Sequence, residues 1–214
     1  TYWTDEFNTT TLGSEWSWLN EDPTHWSLTA NPGFLRITLQ QTPGTNWLVQ
    51  SVPAGDFDIQ THVLFNPIEN FELAGLLLYQ EDGTLLLLGR AFCGYGYPGC
   101  VNGNGIYFDH VEENTMVSDN FAMRTPFTNH AFLRIIHEGE NYTAYVSEDG
   151  ADWWLVGRHV MGAGVDLTSM GLATSTGAQE VAEIYADFDF YLFGPSAPLT
   201  LRSLLPLIFK LPLP

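Results

Sequence analysis

Pairs of carboxylates are the first residues in this 214-residue chain whose types and spacing could do chemistry. Glu69 and Glu72 flank Phe71, while Glu180 and Glu183 precede an apolar segment. Hydrolysis of a glycosidic bond uses two such groups, one of them as the general acid. Neither pair has the arrangement of a catalytic pair, and the serines, histidines and aspartates lack the context of a nucleophile elbow. The sequence therefore favours a protein that is not an enzyme.

The two cysteines indicate a covalent link. Cys93 and Cys100 bracket a segment with three glycines and one proline, a composition that permits the chain to reverse. We therefore predict a disulfide between them, which implies an oxidising compartment. A zinc site would need more ligands, and the histidines are scattered without metal-ligand spacing, so we expect ordinary surface or core roles for them. They are His25, His62, His110, His130, His137 and His159.

Two tyrosines inside the cysteine-bracketed loop are the best candidates for contact with a sugar. Tyr95 and Tyr97 lie in a loop that is too short to bury both rings. Flat aromatic rings stack on the apolar faces of pyranose rings. Contact with another protein would use the same two rings equally well.

Several features favour a secreted protein. The chain begins at Thr1 without a methionine, which we interpret as the result of processing. Asn8 and Asn141 stand in triplets that fit the pattern for N-glycosylation, although such triplets often arise by chance. Together with the predicted disulfide, these features predict an extracellular or cell-surface location.

Charge separates the chain into an acidic body and a basic tail. Residues 1–195 hold all 25 acidic groups against five arginines, a net charge of −20, whereas residues 196–214 carry +2. The body would repel a phosphate backbone, so nucleic acid is a poor partner. An acidic surface also suits calcium.

The last sixteen residues have the pattern of a strand that needs a partner. Their prolines, Pro206, Pro212 and Pro214, all have even numbers, so one edge of an extended strand lacks N–H donors and the other keeps them. The run is too short and too interrupted for a membrane span. Its odd-numbered apolar side chains share one face. They are Leu199, Leu201, Leu205, Leu207, Phe209, Leu211 and Leu213.

The sequence of the body predicts short strands separated by turns. Residues 57–65 alternate between apolar and polar side chains, which predicts a strand with one buried face. We predict one hairpin from 72–79 and 84–92, and another from 141–147 and 153–159. These strands predict an all-β fold of two packed antiparallel sheets in one domain, residues 1–194.

The closing strand of the body is also predicted from parity. Its even-numbered residues form an apolar face that we assign to the core, namely Ala182, Ile184, Ala186, Phe188, Phe190 and Leu192. Asp187 and Asp189 then share the opposite face, provided that the strand has no bulge between them. Residues 195–198 break the pattern and predict a short linker to the tail at 199–214.

Seven segments of the body, in this order along the chain, form a recognisable set: DEF at 5–7, WSW at 16–18, WSLT at 26–29, PGFLR at 32–36, AGL at 74–76, YVSEDG at 145–150 with Trp153, and ADFDF at 186–190. They resemble a known family, the concanavalin A-like β-sandwich domains found at the C-termini of some β-xylosidases and as secreted stand-alone domains. The resemblance covers about residues 3–193. It implies a lectin-like jelly roll, sometimes with glycan contact, and it does not imply catalysis, since fold alone does not fix function. A glycanase of this fold class would carry Glu-x-Asp-x-x-Glu on one strand, a spacing that this sequence lacks.

The resemblance further implies a structural calcium ion. Domains of this type join their first and last strands around calcium, and Asp5, Glu6 and Asp187 occupy the corresponding positions. Carboxylate oxygens are suitable ligands for this ion. The alternative is that Asp187 and Asp189 are solvent-facing residues of an alternating strand.

Two functions remain after these steps. The first is a secreted, non-catalytic protein whose tail adds a strand to the next copy and so builds a head-to-tail extracellular filament. The second is a monomeric carbohydrate-binding module whose tail folds back or serves as a cell-surface sorting signal. The partners are then other copies of the chain or glycans.

Overall fold

The computed structural model describes residues 2–42, 44–94, 96–97, 99–117, 120–127, 129–162, 165–176 and 183–196. These residues form sixteen β-strands in two antiparallel sheets of eight strands each. The prediction of an all-β, two-sheet antiparallel sandwich is confirmed. Tyr95, Glu180, Ala182 and the predicted tail at 199–214 lie outside the described residues. Among those that are described, none belongs to a helix of the length and hydropathy that a membrane span requires.

The first sheet, called sheet A, has the order β14-β13-β12-β6-β16-β4-β3, with β1 pairing to β16. The first and last of the described strands, β1 and β16, are neighbours in this sheet. Its strands are β1 (Trp3–Asp5), β3 (Trp26–Ser27), β4 (Leu35–Thr38), β6 (Phe57–Leu64), β12 (His130–Glu138), β13 (Asn141–Ser147), β14 (Trp154–Val160) and β16 (Tyr185–Gly194).

The second sheet, called sheet B, has the order β10-β9-β8-β7-β15-β5-β2, with β11 pairing to β9. Both predicted hairpins form, β7 with β8 here and β13 with β14 in sheet A. Its strands are β2 (Ser17–Leu19), β5 (Trp47–Ser51), β7 (Leu73–Tyr79), β8 (Leu85–Cys93), β9 (Gly103–Glu112), β10 (Thr115–Met116), β11 (Phe121–Arg124) and β15 (Ser169–Ser175).

The main core lies between the two sheets and follows from alternation along each strand. In β6 the inward residues Phe57, Ile59 and Val63 are at most 1% exposed, as the sequence predicts. The strands β7 and β8 are instead apolar on both faces. Leu77 and Leu87 belong to a second buried cluster on the outer face of sheet B. Because both faces of these two strands are buried, their sequences are continuously hydrophobic.

The closing strand departs from the predicted parity. The register of β16 against β6 shifts between Phe188 and Phe190, so Asp189 is a β-bulge. Ala186 and Phe188 lie in the core, but after the bulge the buried side chain is Tyr191. The prediction that Phe190 and Leu192 face the core is therefore wrong, because one extra residue moves every later side chain to the other face.

Candidate functional site

The predicted disulfide is present at the end of β8. Cys93 and Cys100 are bonded, with their Cα atoms 5.4 Å apart. The bond closes the loop that holds Tyr97, whose side chain is 48% exposed. The ring of Tyr97 meets the ring of Phe71 edge to face, at 5.0 Å between centroids. Phe71 is also exposed and adopts a positive φ of 66°, which is unusual for a bulky residue.

The loop that carries Phe71 is fixed by one buried carboxylate. Oε2 of Glu72 accepts the backbone N–H groups of Ile68 and Glu69 at 2.7 and 2.9 Å. Oδ1 of Asn70 accepts the N–H of Gly94 at 2.6 Å and so ties this loop to the disulfide loop. Glu72 therefore fixes the backbone of the loop that carries Phe71.

The residues predicted to hold calcium have three different environments. Asp5 accepts the N–H of Phe7 at 2.9 Å and the indole N–H of Trp16 at 2.8 Å. Asp187 lies on β16 four residues before Tyr191, the partner of Asp5. Because the bulge lies between them, β6 advances by only three residues over this stretch, which places Asp187 and Asp5 roughly 10 Å from each other along the strand. The structure does not bring these two carboxylates together. Calcium binding itself stays a prediction.

Asp187 is held by two polar side chains. Both carboxylate oxygens accept hydrogen bonds from Arg36 at 2.7 Å, and Asn31 donates a third at 3.0 Å. This bidentate ion pair raises the pKa of Arg36. The guanidinium of Arg36 also stacks on the ring of Tyr185, 3.6 Å from its centroid. Asp187 therefore links β16 to β4 by side chains as well as by backbone pairing.

Glu6, unlike Asp187, opens onto a cleft. The cleft has a volume of about 350 Å³ and lies beside β16, where the neighbour of this strand changes from β4 to β1. The bulged residue Asp189 lines it, not Asp187. Asn8, a predicted glycosylation position, is also in the lining and donates to Glu6 at 3.1 Å, whereas Asn141 begins β13. The sequence missed Asp189 because its side-chain direction depends on the bulge.

Across β16 from this cleft, the outer face of sheet A carries rings beside polar groups. His62 stacks on Phe132 with 4.0 Å between ring centroids and 6° between planes. Phe190, moved outward by the bulge, pairs with His62 on the other side. The next row holds Gln60 opposite Arg134. These side chains are partly exposed, except Arg134, which is buried.

A buried ion pair forms the floor of this outer face. Arg134 donates from Nε to Asp58 at 3.0 Å and from Nη2 to the second oxygen of the same carboxylate. Asp58 is fully buried although it points away from the core. Burial raises the pKa of Asp58, and the ion pair with Arg134 opposes that shift. The ring of Trp153 covers the guanidinium of Arg134, with its centroid 5.6 Å from Cζ.

A hydrogen-bonded chain of three side chains crosses the same face. Oδ2 of Asp189 lies 3.0 Å from Nδ1 of His62, and Nε2 of His62 lies 3.3 Å from Nδ1 of His130. Burial lowers the pKa of His130, and the neighbouring His62 lowers it further. His62 and His130 are 68 residues apart, so no spacing in the sequence pointed to them.

Comparison with known proteins identifies the family. Residues 4–193 match the family of β-xylosidase C-terminal concanavalin A-like domains. The chain belongs to this family. The match covers most of the chain and confirms the resemblance expected from the sequence, with its jelly-roll fold. No curated protein matches the chain.

Solved structures show the same fold in proteins of low sequence identity. A GH43 protein from Bacillus licheniformis is 20% identical with a TM-score of 0.76, and the match covers 89% of this chain and 38% of that one. A Bacteroides ovatus GH43 protein is 22% identical with a TM-score of 0.76, and the match covers 90% of this chain and 39% of that one. A Saccharomyces cerevisiae protein of unknown function is 18% identical with a TM-score of 0.63, and 98% of its chain is covered against 87% of this one.

This chain thus spans less than two fifths of those two GH43 proteins and almost the whole yeast protein. The same sandwich occurs both as one part of a larger enzyme and as nearly a complete chain.

Proposed function

We propose that this chain is a non-catalytic carbohydrate-binding module and that it holds a glycan on the outer face of sheet A. The observation that carries the proposal is the placement of partly exposed rings beside planar hydrogen-bonding groups. Trp153 and the stacked pair His62 and Phe132 offer flat surfaces for pyranose rings. Gln60 in the neighbouring row offers an amide for hydroxyl groups.

The carboxylates on and around this face support a non-catalytic role. Asp58 is bound by Arg134, Asp187 by Arg36, and Asp189 by His62. A glycosidase needs one carboxyl group that can give a proton and another that stays free to act as base or nucleophile. Carboxylates that are occupied by cationic or donor side chains are poorly suited to either task.

The neighbouring structures suggest the class of glycan. One is a xylan β-1,4-xylosidase from Bacillus halodurans, 19% identical with a TM-score of 0.71, and another is described as a xyloglucan GH43 protein from Bacteroides ovatus. On this basis we propose a β-linked plant-wall glycan such as xylan. The disulfide-closed loop with Tyr97 is the competing surface, since its ring is exposed beside Phe71.

The test is the binding of xylo-oligosaccharides and soluble xylan to the full chain by isothermal titration calorimetry. We expect Trp153→Ala to weaken binding at least about tenfold, equivalent to about 1.4 kcal/mol, because one stacking surface is lost. Tyr97→Ala is the matched control, since it removes an exposed ring on the competing surface and should leave the affinity unchanged. Thermal melting of each variant shows whether it is folded.

Two results would overturn this assignment. If Tyr97→Ala abolishes binding and Trp153→Ala does not, the glycan lies on the disulfide loop and not on sheet A. If the unaltered chain binds no glycan of a broad array, the module has another function, and assembly through its tail becomes the leading hypothesis.

A further inference from the structure

We propose that His62 and His130 form a chelating pair for a divalent transition-metal ion such as Zn²⁺ on the outer face of sheet A. The two residues stand on the adjacent strands β6 and β12. His130 pairs with Leu64 and His62 with Phe132, so the two histidines are diagonal neighbours on one face. The two histidines are 68 residues apart in the sequence, and the pairing of β6 with β12 brings them close together.

The distance between the two imidazoles matches the requirement of a tetrahedral ion. Zn–N bonds are about 2.0–2.1 Å long, so two nitrogen ligands at the tetrahedral angle lie about 3.3–3.4 Å from each other. Nε2 of His62 and Nδ1 of His130 are 3.3 Å apart. In the hydrogen bond between the rings, Nδ1 of His130 donates to Nε2 of His62. For Zn²⁺ to bind, that proton must leave Nδ1 of His130, which places the remaining ring proton on Nε2, and the two rings must turn until both lone pairs face the ion.

Two contacts hold the ring of His62 in place for this task. Phe132 stacks on it with nearly parallel planes. Asp189 accepts from Nδ1 at 3.0 Å, which assigns the proton to Nδ1 and leaves the lone pair on Nε2. A carboxylate behind a histidine in this way is the usual second partner of a metal-bound imidazole. The bulge in β16 is what brings Asp189 to this position.

The chemistry of the donors selects the ion. Imidazole nitrogen suits Zn²⁺, Cu²⁺ and Ni²⁺, whereas Ca²⁺ and Mg²⁺ prefer oxygen ligands. Among the residues that the structure describes, no group of three metal-ligating side chains is found. The protein then supplies two ligands, and water completes the coordination at the partly exposed edge of His62, whose side chain is 16% exposed.

The experiment is a titration of the full, tag-free chain with Zn²⁺, followed by calorimetry and by NMR of the histidine ring nitrogens. We expect binding with a dissociation constant below about 1 mM, no comparable binding of Ca²⁺ at this pair, and shifts of Nε2 of His62 and Nδ1 of His130. His62→Ala and His130→Ala should each weaken Zn²⁺ binding at least about tenfold, and Asp189→Asn by about 10–100-fold.

His25 provides a matched control. Its Nδ1 lies 2.8 Å from Asp22, so a carboxylate orients this ring too. Among the described residues, no second imidazole is bonded to it or in contact with its ring. His25→Ala should leave Zn²⁺ affinity unchanged. The inference is overturned if His62→Ala and His130→Ala bind Zn²⁺ as the unaltered chain does while melting normally, or if the unaltered chain shows no Zn²⁺-dependent shift of these two rings. Neither result depends on whether the chain binds glycan.

Discussion

At the scale of single residues, Arg90 has the least expected environment. It lies on the inward face of β8 and is fully buried. Its Nε donates to the carbonyl of Phe65 at 2.6 Å and its Nη1 to that of Phe127 at 3.2 Å. Burial lowers its pKa to about 10, so it remains charged at neutral pH. Phe65 directly follows β6, the strand of His62, and Phe127 precedes β12, the strand of His130. The two hydrogen bonds therefore connect both strands to sheet B.

Replacement of Arg90 tests this bridging role. Arg90→Met keeps an apolar chain of similar length but leaves two carbonyl groups without their donor, so we expect a loss of about 2–4 kcal/mol in the free energy of unfolding. Urea denaturation measures it. Arg158→Met is the control, because Arg158 is exposed and its Nε donates to the hydroxyl of Thr143. This variant should change stability by no more than about 0.5 kcal/mol. Equal losses in both variants would contradict the bridging role.

At the scale of elements, the strands of sheet B carry a buried apolar cluster on their outer face, and Asp109 lies beside it. In β9, Asp109 pairs with Leu87, a member of the outer cluster. Burial raises the pKa of Asp109 from 3.8 to about 6. Folding therefore favours the protonated form of this carboxyl group, and the contribution of Asp109 to stability decreases as the pH rises from about 4 to about 6.

Asp109→Asn should remove this penalty. We expect the variant to be more stable than the unaltered chain above pH 6, by at most about 3 kcal/mol for a shift of about two pKa units, and equally stable near pH 4. Urea denaturation across this pH range gives the comparison. Asp149 is a control of opposite sign, because hydrogen bonds from the backbone of Asp152 and Ala151 lower its pKa. A constant difference between pH 4 and pH 7 would show that Asp109 does not titrate as described.

At the scale of the whole molecule, charge and the tail still predict self-assembly. The body carries −20 and the last nineteen residues carry +2. The odd-numbered apolar face of residues 199–213 would need a groove on some acceptor. The described residues end just after β16, at Ser196, so the filament hypothesis stays a prediction from sequence.

Truncation tests it directly. Removal of all residues after Ser196 keeps Pro195, whose carbonyl accepts the hydroxyl of Tyr2 at 3.2 Å, and should leave a folded monomer. The full chain should form larger species by light scattering and electron microscopy. Leu207→Asp combined with Phe209→Asp should also give a monomer, because a buried unpaired charge is costly. A full chain that stays monomeric at high concentration would rule out the filament.

The sequence by itself determined what depends on local patterns. Alternation over residues 57–65 predicted β6 and its buried face, the turn residues predicted the two hairpins, and the short spacing of Cys93 and Cys100 predicted their disulfide. Each of these features is encoded within a few neighbouring residues. The order of the quoted motifs was enough for the family.

Only the tertiary structure decided what depends on contacts between distant strands. The bulge at Asp189 lies where the neighbour of β16 changes from β4 to β1. Because this change depends on strands that are distant in the sequence, the residues 185–194 alone do not predict the bulge. It moves Phe190 outward and brings Asp189 to His62, whose other neighbour, His130, comes from a strand 68 positions later. Side-chain direction in a strand has a period of two, so one long-range irregularity reverses every local prediction that follows it.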